Sequence, residues 1–592
     1  MIDRFSYAAS FGANYIGNGR TRFRFWAPTQ KQVALVLSNA GNIALPMDIQ
    51  PGGWFELEAD CAAMMPYRYR LDNGMLVPDP ASRLQHDDVR DPSIVVDPAA
   101  YRWQHADWPG RPWHDTVLYE LHVGALGGFV GVRRALPRLA ALGITAVELM
   151  PINDFPGRRN WGYDGVLPYA PDTSYGSPEE LKALIDAAHG LGLMIFLDVV
   201  YNHFGPDGNY FGAYAPQIFR ADFHSAWGAS LDFTQPELRR FFTENAIYWL
   251  MEYRFDGLRF DAVHAIGDPT WLTETATAIR RAVEPRRQVH LVLEDDRNEA
   301  HLLKQAYDAQ WNDDGHHALH VLLTGETDGY YIDYADRPAA RLARCLQDGF
   351  IYQGEPSSHR NGAPRGEPSG ALPPTAFVLF LQNHDQIGNR PLGDRLTAGV
   401  APAAIEAALA LLLLTPQIPM LFMGEEDASQ TPFLFFTDHH GALAEAVREG
   451  RRHEFAHFAA FADPVNQARI PDPNAEATFL ASIPKPDPEH ATERFAFIRR
   501  LLGVRRDTIV PHLDGTHALG ASAIGPAAVT AAWRLGDGAV LTIIANLGAD
   551  AAAVPAPDGA LLFESGDGVA ARLAEDGLMP PHATTAYWHA PS

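Results

Sequence analysis

The pattern of apolar and polar positions changes character twice along the chain. Between Thr21 and about Arg83, short alternating runs ("RFRFWAP", "QVALVL", "WFELEA", "YRYRLD") are separated by Gly, Asn and Pro, which predicts an antiparallel β-sandwich. From about Gly515 the same style returns in "VTAAWRL", "AVLTIIANL" and "TTAYWH", predicting a second small all-β domain. In between, apolar runs alternate with amphipathic ones. The runs are "VLYELHV", "TAVELMPI", "LMIFLDVV", "DGLRFD", "HLVLED", "DAQWND", "AFVLFLQNHD" and "PMLFMGEE". Among the segments between them, "SPEELKALIDAAHGLG" puts Leu181, Leu184, Ile185 and Ala188 on one helical face. It opens on Ser177, Pro178 and Glu180, a capping box with proline in the first turn. Eight strands apolar on both faces, alternating with helices, predict a closed parallel (β/α)8 TIM barrel, with a doubly wound open sheet as the rival. The chain then divides into an N-terminal β-sandwich (1–95), a barrel with insertions (96–510) and a C-terminal β-sandwich (511–592).

The most apolar stretch, "AALALLLLTPQIPMLFMG", is broken by Pro416, Gln417 and Pro419. A buried helix, a turn and a buried strand are expected there rather than a membrane span. The longest irregular stretch, "YQGEPSSHRNGAPRGEPSGALPPT", falls between the sixth helix and seventh strand, and loops of that length are lids or disordered. Trp26 and Trp54 are expected in the sandwich core.

Composition narrows the chemistry. A formal charge of -25 over 592 residues argues against nucleic acid or an anionic membrane as partner. Two cysteines, Cys61 and Cys345, form neither a disulfide framework nor a metal quartet. With no secretory pattern in "MIDRFSYAAS", a reduced, cytoplasmic location is expected.

A barrel carries its site at the C-terminal strand ends, and polar residues collect there: Glu120 and His122; Asp198, Asn202 and His203; Arg259 and Asp261; Glu294, Asp295 and Asp296; Asn312, Asp313 and Asp314; His384 and Asp385; Glu425 and Glu426. In "GLRFDAVH" strand alternation puts Arg259 and Asp261 on one face, a charged pair that needs a polar cavity. So many carboxylates, with no HxH pair, either hold an oxygen-loving metal or perform acid/base chemistry on a neutral substrate. Aromatic residues in "NWGYDG" (160–165) and "QWND" favour the second choice, since flat rings beside carboxylates suit a sugar. "GPDGNY" (205–210) has the Asp-x-Asn spacing of a calcium loop but lacks its twelfth-position glutamate, so no metal and no cofactor is expected.

Four of these segments carry a resemblance. "DVVYNH" (198–203), "GLRFDAVH" (257–264), "LVLEDD" (291–296) and "LQNHDQIGN" (381–389) resemble, in order, the four regions of glycoside hydrolase family 13, the α-amylase family. "FRFWAP" with "VPDPASR" resembles the N-terminal sandwich, of carbohydrate-binding module family 48 type, found in branching and debranching members. The resemblance implies roles. Asp261 matches the nucleophile, kept ionised by Arg259; Glu294 matches the general acid/base. Asp385 matches the third carboxylate, which grips ring hydroxyls as the sugar distorts. It implies that His203 and His384 hydrogen-bond to the same glucose, that Tyr163 stacks on it, and that Asp198 anchors the network from beneath. Trp311 is either a stacking platform for the next sugar or core. A retaining outcome requires the Asp261 and Glu294 carboxyls about 5–5.5 Å apart. Asp295 and Asp296 are expected to orient Glu294 or cap the next helix.

Segments outside those regions, "QWNDDGHHALH", "GETDGYYIDY", "MLFMGEEDASQTPFLFFTDH", "EFAHF" and "IPDPNAEATF", resemble the subgroup that cuts the α-1,4 bond next to the terminal trehalose of malto-oligosyltrehalose. Gly315 departs from it, standing where a large apolar residue before His316 would wall the cleft; His316 and His317 are either substrate contacts or packing. The implied partners are malto-oligosyltrehalose, related α-1,4-glucans and water, with a malto-oligosyltrehalose synthase in the same pathway but no obligate complex. A branching enzyme should carry serine before the seventh-strand His-Asp and Glu-Glu around the acid; "QNHDQIGN" and "LEDD" depart from both. A non-catalytic glycan-binding barrel would need a lost carboxylate, and Asp261, Glu294 and Asp385 are all present.

Overall fold

Eight parallel strands close into a barrel in chain order: β1 (Leu118–Leu121), β2 (Ala146–Leu149), β3 (Met194–Val199), β4 (Gly257–Phe260), β5 (His290–Leu293), β6 (Ala309–Trp311), β7 (Phe377–Phe380) and β8 (Ile418–Phe422). The computed structural model describes residues 5–38, 41–225, 228–455, 463–555 and 557–591. All eight runs marked by the apolar pattern are these strands, and closure excludes the open sheet. Most residues of "EFAHF" lie outside the described residues.

Strand alternation divides the barrel interior into two levels. Leu118, Ala146, Met194, Phe196, Val292, Ala309, Val378, Phe380, Ile418 and Met420 form a separate apolar floor inside the strands. One pleat further along, Glu120, Glu148, Asp198 and Arg259 stand on the same inward face, with Glu120 directly opposite Glu148 and Asp198 opposite Arg259. The polar level is therefore a consequence of register, and it lies under the C-terminal mouth.

The helices that cover the barrel include α1 (Gly128–Leu142), α2 (Pro178–Gly190), α3 (Pro236–Met251), α4 (Pro269–Ala282), α5 (Ala300–Gln305), α6 (Asp313–Thr324), α7 (Pro338–Asp348), α8 (Pro402–Leu414) and α9 (Ala491–Val504). The α2 capping box is complete, with Ser177 accepting from the Glu180 amide and Glu180 from the Ser177 amide. Helix α8 is apolar on nearly every side because it is sandwiched: the barrel lies on one face and the C-terminal sheet on the other, where Thr584 Oγ1 donates to the Ala407 carbonyl at 2.8 Å. No helix among the described residues is long and apolar enough to cross a membrane.

The N-terminal unit is two antiparallel sheets. One orders Gly12–Gly17, Arg20–Trp26, Trp54–Asp60 and Asp48–Gln50; the other orders Ile43–Pro46, Ala34–Leu37, Pro66–Arg70 and Leu76–Val77, with Ser93–Ile94 paired on Pro66–Arg70. Phe25 stacks on Tyr69 at 4.3 Å between the sheets, and Trp26 and Trp54 are buried in the same core. A fully buried ion pair, Arg83 to Glu252 at 3.1 Å, fastens this unit to the end of α3. The C-terminal unit is a five-stranded antiparallel sheet (His517–Gly525, Ala528–Arg534, Val540–Asn546, Ala583–His589, Ala560–Glu564) with a two-stranded ribbon and one short helix, Val569–Asp576.

Candidate active site

Arg259 is the centre of the polar level. It is fully buried, and its Nη1 donates to Asp198 Oδ2 at 2.6 Å and to Asp261 Oδ1 at 2.8 Å, while Nη2 donates to Glu294 Oε2 at 2.7 Å. One guanidinium thus spans three carboxyls, Asp198 on β3 and Asp261 and Glu294 just past the ends of β4 and β5. Its plane lies over the Trp311 ring, 4.2 Å from the centroid. This corrects the expectation of Trp311 as a sugar platform. The ring is 1% exposed, packs on Phe380 and supports Arg259 from below.

Asp261 follows β4 at the mouth. Its carboxylate also accepts from Asn202 Nδ2 at 2.7 Å, and that same amide reaches the Asp261 carbonyl at 3.0 Å. Burial opposes ionisation, but Arg259 and Asn202 overcome it and hold Asp261 below the usual carboxylate range. Glu294 behaves oppositely. Burial raises it well above the ordinary glutamate value, Asp261, Asp385 and Asp313 add to the rise, and its share of Arg259 does not compensate. The chain between them is bent for a purpose: Ala262 has φ +40°, a left-handed conformation that is costly for a residue with a Cβ. That turn aims the Ala262 amide at Glu294 Oε2, 2.9 Å away.

The remaining predicted residues surround this pair. Tyr163 OH donates to Asp198 Oδ2 at 2.6 Å and meets His384 Nε2 at 2.8 Å, the two rings stacking at 5.1 Å. His384 is gripped at Nδ1 by Glu120, whose other oxygen takes the His384 amide at 3.0 Å. Burial works against a charge on His384, but Glu120 and Asp385 push it up to about 9. Asp198 is buried beneath, as an anchor would be, and burial raises it to about 6 against the pull of Arg259. His203 is held by the Asn202 side chain at Nδ1 and faces the Tyr163 carbonyl at 2.9 Å with Nε2. Asp385 stands half-buried at the rim, accepting from Asn389 Nδ2 at 3.0 Å.

A cavity of about 340 Å3 opens beside Asp385, walled by Asp313, His317, Tyr330, Arg360 and Arg365. The long loop before β7 is one wall. It is tied down by Arg365 to Asp314 at 2.7 Å, Arg360 to Asp296 at 2.6 Å and Ser357 to Asp333 at 2.5 Å. Asp313 is raised to about 7 by burial. His316 is a packing residue, donor and acceptor pairs being made with the Leu381 carbonyl at 2.8 Å and Tyr331 OH at 3.4 Å. His317 has no hydrogen-bond partner among the described residues and lines the cavity.

Two further expectations need correction. Gly315 is not part of the cleft wall: a Cβ there would stand 2.3 Å from Leu379 Cδ1 and 3.0 Å from Cys345 Sγ, inside the packing of α6 on β7 and α7. Glu425 and Glu426 do not face the mouth. Glu425 accepts from Gln382 and the Phe422 amide, and Glu426 from Tyr119 OH and Arg138. Asp295 does not bond to Glu294; it caps the turn into α5 through the Arg297 and Glu299 amides.

His264, Asp295 and Asp296 bring ligand atoms within 4.8 Å of one another. Asp295 and Asp296 already serve the partners just named, so the trio carries no argument for a metal. In the "GPDGNY" loop Asp207 pairs with Arg90, and Asn209 caps the Phe211 amide. Asn202 and Glu120 contact Asp261 and His384 and were marked by polarity alone without assignment; their partners are set by strand register and loop closure. An ionised carboxylate beside a protonated one, with a neutral-sugar-sized cavity adjoining, is the minimum equipment for glycoside hydrolysis.

Comparison with known proteins agrees with this geometry. Residues 104–228 match the family described as "Alpha amylase, catalytic domain", residues 10–92 "Carbohydrate-binding module 48 (Isoamylase N-terminal domain)", and residues 516–585 "Domain of unknown function (DUF3459)". The malto-oligosyltrehalose trehalohydrolase of Deinococcus radiodurans is 43% identical over 508 residues, 84% of this chain and 82% of its own. That of Arthrobacter ramosus is 39% identical over 87% of this chain and 93% of its own. A solved structure from Salmonella typhimurium, assigned as an alpha amylase, superposes with a TM-score of 0.92 at 42% identity, covering 99% of this chain and 100% of that one. The chain belongs to the malto-oligosyltrehalose trehalohydrolase family, within the α-amylase family of glycoside hydrolases.

Proposed function

We propose that this protein hydrolyses the α-1,4-glucosidic bond next to the terminal trehalose unit of malto-oligosyltrehalose, releasing trehalose with retention of configuration. The observation that carries the chemistry is the single Arg259 guanidinium bridging Asp261 and Glu294, in surroundings that hold Asp261 below and Glu294 above the ordinary carboxylate range. In this reading Asp261 attacks the anomeric carbon while Glu294 gives its proton to the leaving oxygen. Glu294 then takes a proton from the water that releases the glycosyl-enzyme. Asp385 binds ring hydroxyls of the distorted sugar, Tyr163 stacks on it, and His384, charged through Glu120, donates to it. Arg259, Asp198 and Asn202 position the nucleophile, and His203 acts through Asn202. The cavity beside Asp385 receives the leaving trehalose.

Membership of the family, rather than the cavity, supports the choice of bond. The test is to digest malto-oligosyltrehalose and plain malto-oligosaccharide of equal length side by side and separate the products. Trehalose as the main early product, with slow cleavage of the plain chain, is the expected result. Equal cleavage of both, or formation of branches, overturns the assignment.

A further inference from the structure

The polar level of the barrel holds one carboxyl that no part of the proposed reaction uses. Glu148 on β2 is 1% exposed, and neither of its oxygens has a hydrogen-bond partner among the described residues. Strand register places it opposite Glu120 on β1, on the inward face shared with Asp198 on β3 and Arg259 on β4. Two other atoms of this level are equally unpartnered: Asp198 Oδ1 and Arg259 Nε. Four orphaned polar atoms in one buried layer call for an explanation, because such groups are paired in native proteins or serve a purpose.

Counting charges shows what kind of group fits. The groups facing Glu148 are Asp198, Glu120, Arg259 and His384. Around them the site contains seven carboxyls (Glu120, Glu148, Asp198, Asp261, Glu294, Asp313, Asp385) against two cations, Arg259 and His384. An ionised Glu148 would add an uncompensated buried charge beside two like charges. Burial, with Asp198 and Glu120 adding to it, lifts Glu148 well above the ordinary glutamate value.

We propose that Glu148 is a positioning residue for the reaction, an uncharged acid whose O–H serves the free oxygen of Asp198 through one buried water. A neutral donor there keeps Asp198 ionised, so that Asp198 continues to claim Arg259 Nη1 and Tyr163 OH. Without it Asp198 takes up a proton more readily. Arg259 is then shared between Asp261 and Glu294 alone, stabilises ionised Glu294, and lowers the pH at which the general acid is lost.

This inference rests on the proposed roles of Asp261 and Glu294 only where turnover is the readout. The test compares E148Q, which keeps a donor, with E148L, which keeps most of the volume and loses it. E148Q is expected to retain the wild-type pH profile of kcat. E148L is expected to lose about tenfold in kcat, the equivalent of one buried hydrogen bond, with its alkaline limb moved to lower pH. An E148L profile with unmoved limbs overturns the proposal, as does an E148Q profile that moves as far as that of E148L. Should E148L fail to fold, infrared difference spectra of wild type against E148Q at neutral pH decide independently of activity. Loss of a protonated-carboxyl band is expected, and loss of an ionised-carboxylate band instead refutes it.

Discussion

Arg259 has to satisfy Asp198, Asp261 and Glu294 with two terminal nitrogens, and the unequal outcome sets the chemistry. Asp261 gains the extra donor Asn202 and stays ionised; Glu294 gains carboxylate neighbours and stays protonated. Replacing Asp261 by Asn keeps the shape of the pair while removing the proposed nucleophile. D261N is expected to lose about a thousandfold or more in kcat with an unchanged thermal transition; substantial residual turnover would place the nucleophile elsewhere. The same asymmetry fixes the pH profile. The proposed reaction requires Asp261 deprotonated and Glu294 protonated, so kcat is expected to rise through the depressed Asp261 value and fall through the elevated Glu294 value. The expected bell has its acid limb below, and its alkaline limb above, the ordinary carboxylate range. A profile falling across that ordinary range would contradict it. Arg259, Asp261 and Glu294 were legible in the sequence because strand alternation and motif order mark them. Asn202's double grip and the left-handed Ala262 were not, since both depend on how loops close over the strand ends. The burial of Trp311 was also illegible: a ring at a strand end can point in or out, and only the Arg259 contact decides.

Element boundaries follow from how much of each strand is buried. The barrel strands are covered on both faces, so continuous apolar runs announce all eight. The sandwich strands Ile43–Pro46 and Asp48–Gln50 are largely exposed edges with little alternation, and Gly12–Gly17 opens with small residues; none of the three was marked. Gly315 shows the same limit within a helix. Its significance lies in the close approach of α6 to Leu379 on β7 and Cys345 on α7, which sequence spacing does not reveal. G315A places a Cβ 2.3 Å from Leu379 Cδ1, and overpacking of this kind costs about 1–3 kcal/mol. Chemical denaturation is expected to show that loss despite the better helix propensity of alanine; equal or greater stability would show that the α6–β7 contact yields freely.

At the scale of the molecule, a barrel presents the chemistry and two β-units flank it, one fastened by the buried Arg83–Glu252 pair and the other across the apolar helix α8. The strong negative charge of the chain, -25, is compatible with a neutral glucan, whose binding involves no counterion release. The central claim joins two statements, that the bond broken is the one before trehalose and that the Asp261–Glu294 pair breaks it with retention. Time-resolved proton NMR of malto-oligosyltrehalose in the presence of the enzyme reads both at once. The trehalose anomeric signal is expected to grow in step with the α-anomer of the shortened malto-oligosaccharide, the β-anomer following only at the rate of mutarotation. Initial release of the β-anomer, or cleavage that leaves no trehalose signal, would contradict the account.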